Sequence, residues 1–231
     1  MRQLTFDLPA RDGFSRDDFF PSASNRSALA LLDDWKNWQG GRLMVVGPKG
    51  AGKTHLAHLW AAEVGAVIIA AQDLAGIDLR SLGDKVAVED AHLITPEAEV
   101  ALFHLYNLLS NQGNLFITAR SAPRDWAIGL PDLLSRLQTV QISHLNAPDE
   151  ALMAAVLIKL FADRQIAVPP NLIAYLIPRI ERSIGAARDL VQDLDASALS
   201  LGRPVTRALA ANLLDAIPSQ NPHQDARYNA P

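Results

Sequence analysis

The chain has 231 residues, 49% of them hydrophobic and 20% charged, enough to bury a sizeable core without staples. Its 21 Lys and Arg against 25 Asp and Glu give a net charge of −4, which exerts no overall pull toward nucleic acid or an anionic membrane. The absence of cysteine excludes disulfides, zinc ribbons and thiol catalysis. The first residues carry no apolar signal-peptide run and no stretch approaches membrane-spanning length, so a cytoplasmic chain with no membrane contact is expected.

Residues 1–22 mix charges, phenylalanines and prolines without a period and read as extended, with 1–13 a separate arm. Leu29, Leu32 and Trp35 recur at helical spacing and predict a first helix over 24–38, stopped by Gly40 and Gly41. Five short apolar or β-branched runs follow at 43–46, 67–70, 86–88, 115–118 and 140–142. The intervening segments are long enough for helices, and that alternation predicts a five-stranded parallel sheet sandwiched by helices. Residues 53–64 carry a helical face ending at Gly65, while Thr95-Pro96-Glu97 is an N-cap, a first-turn proline and an early acid opening a helix toward Gly113. After Pro148 the strand signals vanish and Ala/Leu-rich helices are expected over 149–164, 170–181, 185–200 and 205–216. The expected organisation is an α/β base over 14–146, a small all-helical lid over 147–217 and a disordered polar tail over 218–231.

Gly47-Pro48-Lys49-Gly50-Ala51-Gly52-Lys53-Thr54 is a complete G-x-x-x-x-G-K-[ST] between a predicted strand and a predicted helix. Clustered phosphate charge requires inward-facing backbone N–H groups, and only a glycine-rich loop brings the chain that close. Lys53 would reach the β- and γ-phosphates and the Thr54 hydroxyl would ligate Mg²⁺, with His55 adjoining them. A metal-bound triphosphate also needs an acid at the end of another buried strand; Glu89 and Asp90 supply it, Glu89 being the candidate metal ligand. Many hydrolytic P-loop proteins place Asp before Glu, and the reversed order here speaks against strong hydrolytic turnover of the chain's own nucleotide.

Together with these motifs, Asp18-Phe19-Phe20-Pro21-Ser22-Ala23-Ser24-Asn25-Arg26 and the Phe-rich segment around Glu99, Phe103 and Tyr106 resemble the AAA+ family, and within it the DnaA/Hda family, over about residues 14–216. The resemblance implies an AAA+ P-loop fold that binds ADP or ATP with Mg²⁺. It implies that Phe20 and Asn25 lie beside the adenine, that Thr118 serves as sensor 1, and that Arg188 in Gly185-Ala186-Ala187-Arg188 serves as a lid arginine on the same nucleotide. Arg136, just ahead of the last strand, falls where the family places an arginine finger for a neighbour's γ-phosphate. Read alone, Arg136 also suits a surface cation paired with Asp132, and Thr118 an ordinary strand threonine. Residues 146–231 hold 8 Lys and Arg against 9 Asp and Glu, so no basic stripe supports sequence-specific DNA binding.

Near the N-terminus, Gln3, Leu4, Phe6 and Leu8 resemble the short peptide by which members of this family and several polymerases dock on the DNA polymerase sliding clamp; the same pattern also suits a plain strand. The function this resemblance implies is negative regulation of replication initiation. The chain would dock on the DNA-loaded clamp and stimulate ATP hydrolysis by the initiator DnaA through Arg136, with Glu89, Asp90 and Thr118 as its own catalytic candidates and a homo-oligomer as an option. Two other readings stay open at this stage: an autonomous AAA+ ATPase that remodels a partner or loads a helicase, and a non-catalytic adaptor. The histidines offer no metal-ligand spacing, and Trp35, Trp38, Trp60 and Trp126 are expected to pack rather than stack on bases.

Overall fold

The structure is a computed structural model that describes residue 16 and residues 19–110 and 113–216. The clamp-peptide residues Gln3, Leu4, Phe6 and Leu8 and the tail from 218 lie outside the described residues.

Strands β1 (Arg42–Val46), β2 (Val67–Ala70), β3 (Lys85–Glu89), β4 (Asn114–Ala119) and β5 (Gln141–His144) form one sheet, parallel throughout, in the order β2-β3-β4-β1-β5. Side-chain alternation divides its two faces. Met44, Val46, Val86, Val88, Leu115 and Ile117 pack with Leu102 and Leu105 of α3 (Pro96–Leu108) and with Leu133 and Leu137 of α4 (Pro131–Gln138). Leu43, Val45, Ala87 and Phe116 point the other way, onto Leu29 and Leu32 of α1 (Arg26–Asp33) and Leu56 and Trp60 of α2 (Lys53–Val64). Both faces of the inner strands are thus covered, which is why β1, β3 and β4 carry apolar runs. Trp38, Trp60 and Phe116 form an aromatic centre in the second core, with ring centroids 5.1, 5.7 and 5.8 Å apart.

The helix expected over 24–38 is shorter. α1 ends at Asp33, and Trp35–Asn37 turns as a separate 3₁₀ segment. The break lets the Trp38 indole N–H donate to Leu31 O at 2.6 Å and places Trp38 in the core. The α3 start follows its sequence signal: Thr95 Oγ1 accepts from Ala98 N–H at 3.3 Å, with Pro96 in the first turn.

The chain divides into two compact units, Met1–Leu152 and Met153–Pro231, with the division inside α5 (Glu150–Asp163). The second unit is helical. Leu157 and Phe161 of α5 pack with Leu176 of α6 (Pro170–Leu176), Leu190 and Leu194 of α7 (Ile184–Leu201) and Ala210 of α8 (Arg207–Ala216). Ser183 caps α7 by accepting from Ala186 N–H, and Gly202 ends it in the left-handed region at φ 59°. Among the described residues no helix is long and apolar enough to cross a membrane.

Candidate nucleotide-binding site

The predicted phosphate loop joins β1 to α2 at the carboxyl edge of the parallel sheet, where an order such as β2-β3-β4-β1-β5 reverses direction and opens a crevice. Gly50 at φ 75° and Gly52 at φ 102° adopt backbone conformations that a side chain resists. Gly47 is required for a different reason: a Cβ there would come within 2.5 Å of Leu145 O, and its N–H donates to Ala119 O at 3.1 Å. The loop is therefore wedged between the ends of β4 and β5. Lys53 is only 7% exposed, and its ammonium donates to Gly47 O and Pro48 O, both at 2.8 Å, so it spans the loop from within. Burial lowers its pKa, Asp90 and Glu89 oppose that, and Arg120 adds to it. Pro48, Lys49 and Thr54 are exposed on the loop and the first turn of α2, Gly50 is half-buried and Ala51 is buried.

The acidic pair sits at the end of β3, one strand beyond β4, which pairs with β1. Glu89 Oε1 is buried with no hydrogen-bond partner, an orphaned acceptor facing a cost unless something fills it. Asp90 turns into the left-handed region at φ 49°, its side chain 51% exposed, and its N–H donates to Thr118 Oγ1 at 3.2 Å. Thr118 is buried beside the loop, and its hydroxyl both holds the Asp90 turn and retains a proton to donate. His92 lies 3.9 Å from Asp90, with both ring nitrogens buried and without hydrogen-bond partners. Burial, the leading cause, pushes its pKa below the ordinary 6.5, so the imidazole is neutral at pH 7. Arg120 contributes positive charge to both Lys53 and His92. The sequence pattern pointed to neither His92 nor Arg120 as a site residue; adjacency to the acidic pair and to Thr118 was the available signal.

This donor set fits a Mg²⁺ nucleotide. Loop N–H groups and Lys53 would hold the phosphates, and Thr54 with the orphaned Glu89 carboxylate would hold the ion. No cluster of three or more His, Asp or Glu side chains able to cage a metal occurs among the described residues, so the ion would be held jointly with phosphate oxygens.

On the predicted adenine side, Asn25 is 4% exposed and its amide is committed to the preceding turn: Oδ1 accepts from Ser22 N–H at 2.8 Å and Nδ2 donates to Phe20 O at 2.9 Å. Asn25 shapes this segment, and Phe20 is held through its carbonyl. Phe19 meets the His55 ring edge to face at 5.3 Å, linking the segment to α2. Asp149, which carries no sequence signal of its own, accepts from Ser24 N–H and from Leu152 N–H, tying the segment to the first turn of α5. Those hydrogen bonds, the Leu152 one foremost, hold its carboxyl below the usual range.

The two arginines have different settings. Arg188 is exposed on α7 in the second unit. Arg136 is exposed in the last turn of α4, with its guanidinium carbon 5.0 Å from the Phe103 ring centre and 5.6 Å from that of Tyr106. It forms no ion pair among the described residues, so the Asp132 pairing gives way to an aromatic seat. The other side of this corner is Arg42, whose guanidinium carbon lies 3.9 Å from the Tyr106 ring centre. Arg42 opens β1 and the phosphate loop follows its end, about 15 Å along the strand. Arg136 thus sits at the amino edge of the sheet, away from its own loop.

Domain III of the Thermotoga maritima replication initiation protein DnaA superposes with a TM-score of 0.74 at 17% identity, covering 90% of this chain and 98% of that one. The replication initiator DnaA bound to AMPPCP and single-stranded DNA gives 0.65 at 16% identity, with 83% of this chain covered and 66% of that longer one. The Thermotoga maritima RuvB Holliday junction branch migration motor gives 0.68 at 18% identity, covering 87% and 71%. No family model matches the chain. At these identities the likeness shows the fold alone: a five-stranded parallel α/β unit followed by helices, as in DnaA domain III and RuvB.

Proposed function

We propose that this chain is a nucleotide-bound AAA+ regulator that completes the ATP site of the replication initiator DnaA, acting in the cytoplasm as Hda-type inactivators do. ADP or ATP with Mg²⁺ occupies the loop of residues 47–54 and fixes the chain in its active form. The peptide carrying Gln3, Leu4, Phe6 and Leu8 docks on the DNA-loaded sliding clamp, where several copies gain avidity. Arg136 enters the initiator's site, neutralises charge developing on its γ-phosphate and accelerates hydrolysis, which ends the initiator's active state. Sequence-specific DNA contact and membrane contact play no part.

The observation that carries this reading is the place of Arg136. It is exposed, free of carboxylate partners among the described residues, and at the sheet edge opposite its own phosphate loop. A guanidinium there serves another molecule's phosphate rather than its own. The test is a reconstitution of this chain, clamp, DNA and ATP-bound initiator, following phosphate release with each component omitted in turn. Hydrolysis above the initiator's basal rate should require all of them, and stimulation unaffected by omitting the clamp would remove the docking step.

The orphaned Glu89 oxygen favours a second reading, an autonomous ATPase that remodels a partner, since a half-buried carboxylate with one unpartnered oxygen suits the preparation of water. Rapid turnover by the isolated chain, abolished in Lys53→Ala, would favour that reading instead.

A further inference from the structure

Helix α3 grips α4 at both ends. Glu99 is 4% exposed, and its two carboxylate oxygens accept from Gly129 N–H at 3.0 Å and Leu130 N–H at 2.8 Å, the two residues that lead into α4. A carboxylate there also meets the positive end of the α4 dipole. About 9 Å further along α4, Phe103 and Tyr106 lie under the Arg136 guanidinium. Glu99, Phe103 and Tyr106 are spaced i, i+4 and i+7, so one face of α3 makes all of these contacts. Tyr106 is in turn fixed from behind: Arg42 stacks on its ring and donates from Nη2 to its backbone carbonyl at 3.0 Å. Leu133 and Leu137 already fix the roll of α4 against the core, so these contacts leave only the arginine's own torsions to be set. The rings set them.

We propose that Phe103 and Tyr106 are the positioning residues of Arg136, holding its guanidinium in an anion-ready orientation before a neighbour's phosphate arrives. This rests on the reading of Arg136 as the group lent to another protein's nucleotide. The physical reason is conformational. A free arginine surrenders considerable rotamer freedom when it is captured by a phosphate, and a seat that restricts it beforehand lowers that cost. Aromatic faces suit the task because they attract the cation without neutralising it, whereas a carboxylate would compete with the phosphate. Arg42 behind Tyr106 raises the local positive potential that an incoming anion would meet; burial foremost lowers the Arg42 pKa, Tyr106 opposes that, and Arg136 adds a smaller lowering.

Two measurements on the full chain test the seat. The first records the order of the Arg136 Nε–H bond by side-chain NMR in the free protein: ordered in the natural chain, mobile in Phe103→Leu, and ordered again in Phe103→Trp, which restores the aromatic face. The second measures the initiator's hydrolysis with clamp and DNA against concentration of this chain. Phe103→Leu should lower the maximal rate about two- to fivefold, the size of an exposed cation–π contact, without moving the half-saturating concentration. Phe103→Trp should recover it, and Phe103→Leu should have no effect in an Arg136→Ala background. A mobile Arg136 in the natural chain, or equal losses in the Leu and Trp variants, overturns the seat. An ordered Arg136 whose removal leaves hydrolysis untouched overturns the lent-arginine reading while the seat stands.

Discussion

Replacing Glu99 tests how firmly the arginine-bearing helix is held. In Glu99→Gln one oxygen still accepts an N–H, but an amide NH₂ faces the other, so one charge-assisted hydrogen bond is lost and two donors oppose each other. Such bonds contribute about 1.5–3 kcal/mol each, and the stranded N–H adds its desolvation cost, so a loss of about 2–3 kcal/mol is expected. Glu99→Ala removes both bonds and should cost about 3–5 kcal/mol. Urea unfolding followed by tryptophan fluorescence reads this cleanly, because Trp35, Trp38, Trp60 and Trp126 all belong to the first compact unit and report nothing on the second. With a slope of about 1–3 kcal/mol per molar urea, the Gln variant's midpoint should fall by about 1 M. A midpoint within about 0.2 M of the natural chain would mean that Glu99 does not clamp α4, and the account of how that helix is anchored would fail.

Three further outcomes follow from the site. Lys53→Ala should weaken binding of a fluorescent ADP analogue by about ten- to a hundredfold, the value of one charged hydrogen bond to phosphate, and unchanged affinity would place the phosphates elsewhere. Gly47→Ala should abolish nucleotide binding while helical content by circular dichroism stays near that of the natural chain, because its methyl group would displace the loop from Leu145 O; normal binding would show that the loop tolerates the shift. Asp149 is held below its ordinary pKa by hydrogen bonds, so it binds fewer protons folded than unfolded. Its stabilising contribution is present above the ordinary carboxylate range near pH 4 and is lost as pH falls through the depressed folded value. The urea midpoints of the natural chain and Asp149→Asn should therefore converge on acidification, and a constant gap would contradict the assignment.

The sheet was legible because a parallel strand covered on both faces must be apolar at successive positions, and the β1 and β3 runs are. The phosphate loop was legible because its glycines answer local needs: positive φ at Gly50 and Gly52, and close approach at Gly47. The overlong first helix shows the limit of periodicity. Trp35 and Trp38 continue the apolar spacing of α1, but the chain reaches the core through a 3₁₀ turn that the spacing cannot distinguish from a helix. Contacts between distant residues left no trace in the pattern. Nothing in the local pattern ties Glu99 to Gly129 and Leu130, which arrive from thirty residues away, or Asp149 to Ser24. The seat of Arg136 is of the same kind, since Phe103 and Tyr106 mark only a Phe-rich segment in the sequence and the packing of α4 sets the cation over them.

The central claim is that Arg136 acts on ATP held by a different protein. Single-turnover hydrolysis by ATP-loaded initiator, mixed with clamp on DNA and either the natural chain or Arg136→Ala, tests it directly. An arginine of this kind contributes about 10³–10⁵ in rate where it is fully engaged. The account predicts that the variant still binds nucleotide and clamp while initiator hydrolysis falls to the rate seen without any added chain. Hydrolysis as fast with Arg136→Ala as with the natural protein would contradict it.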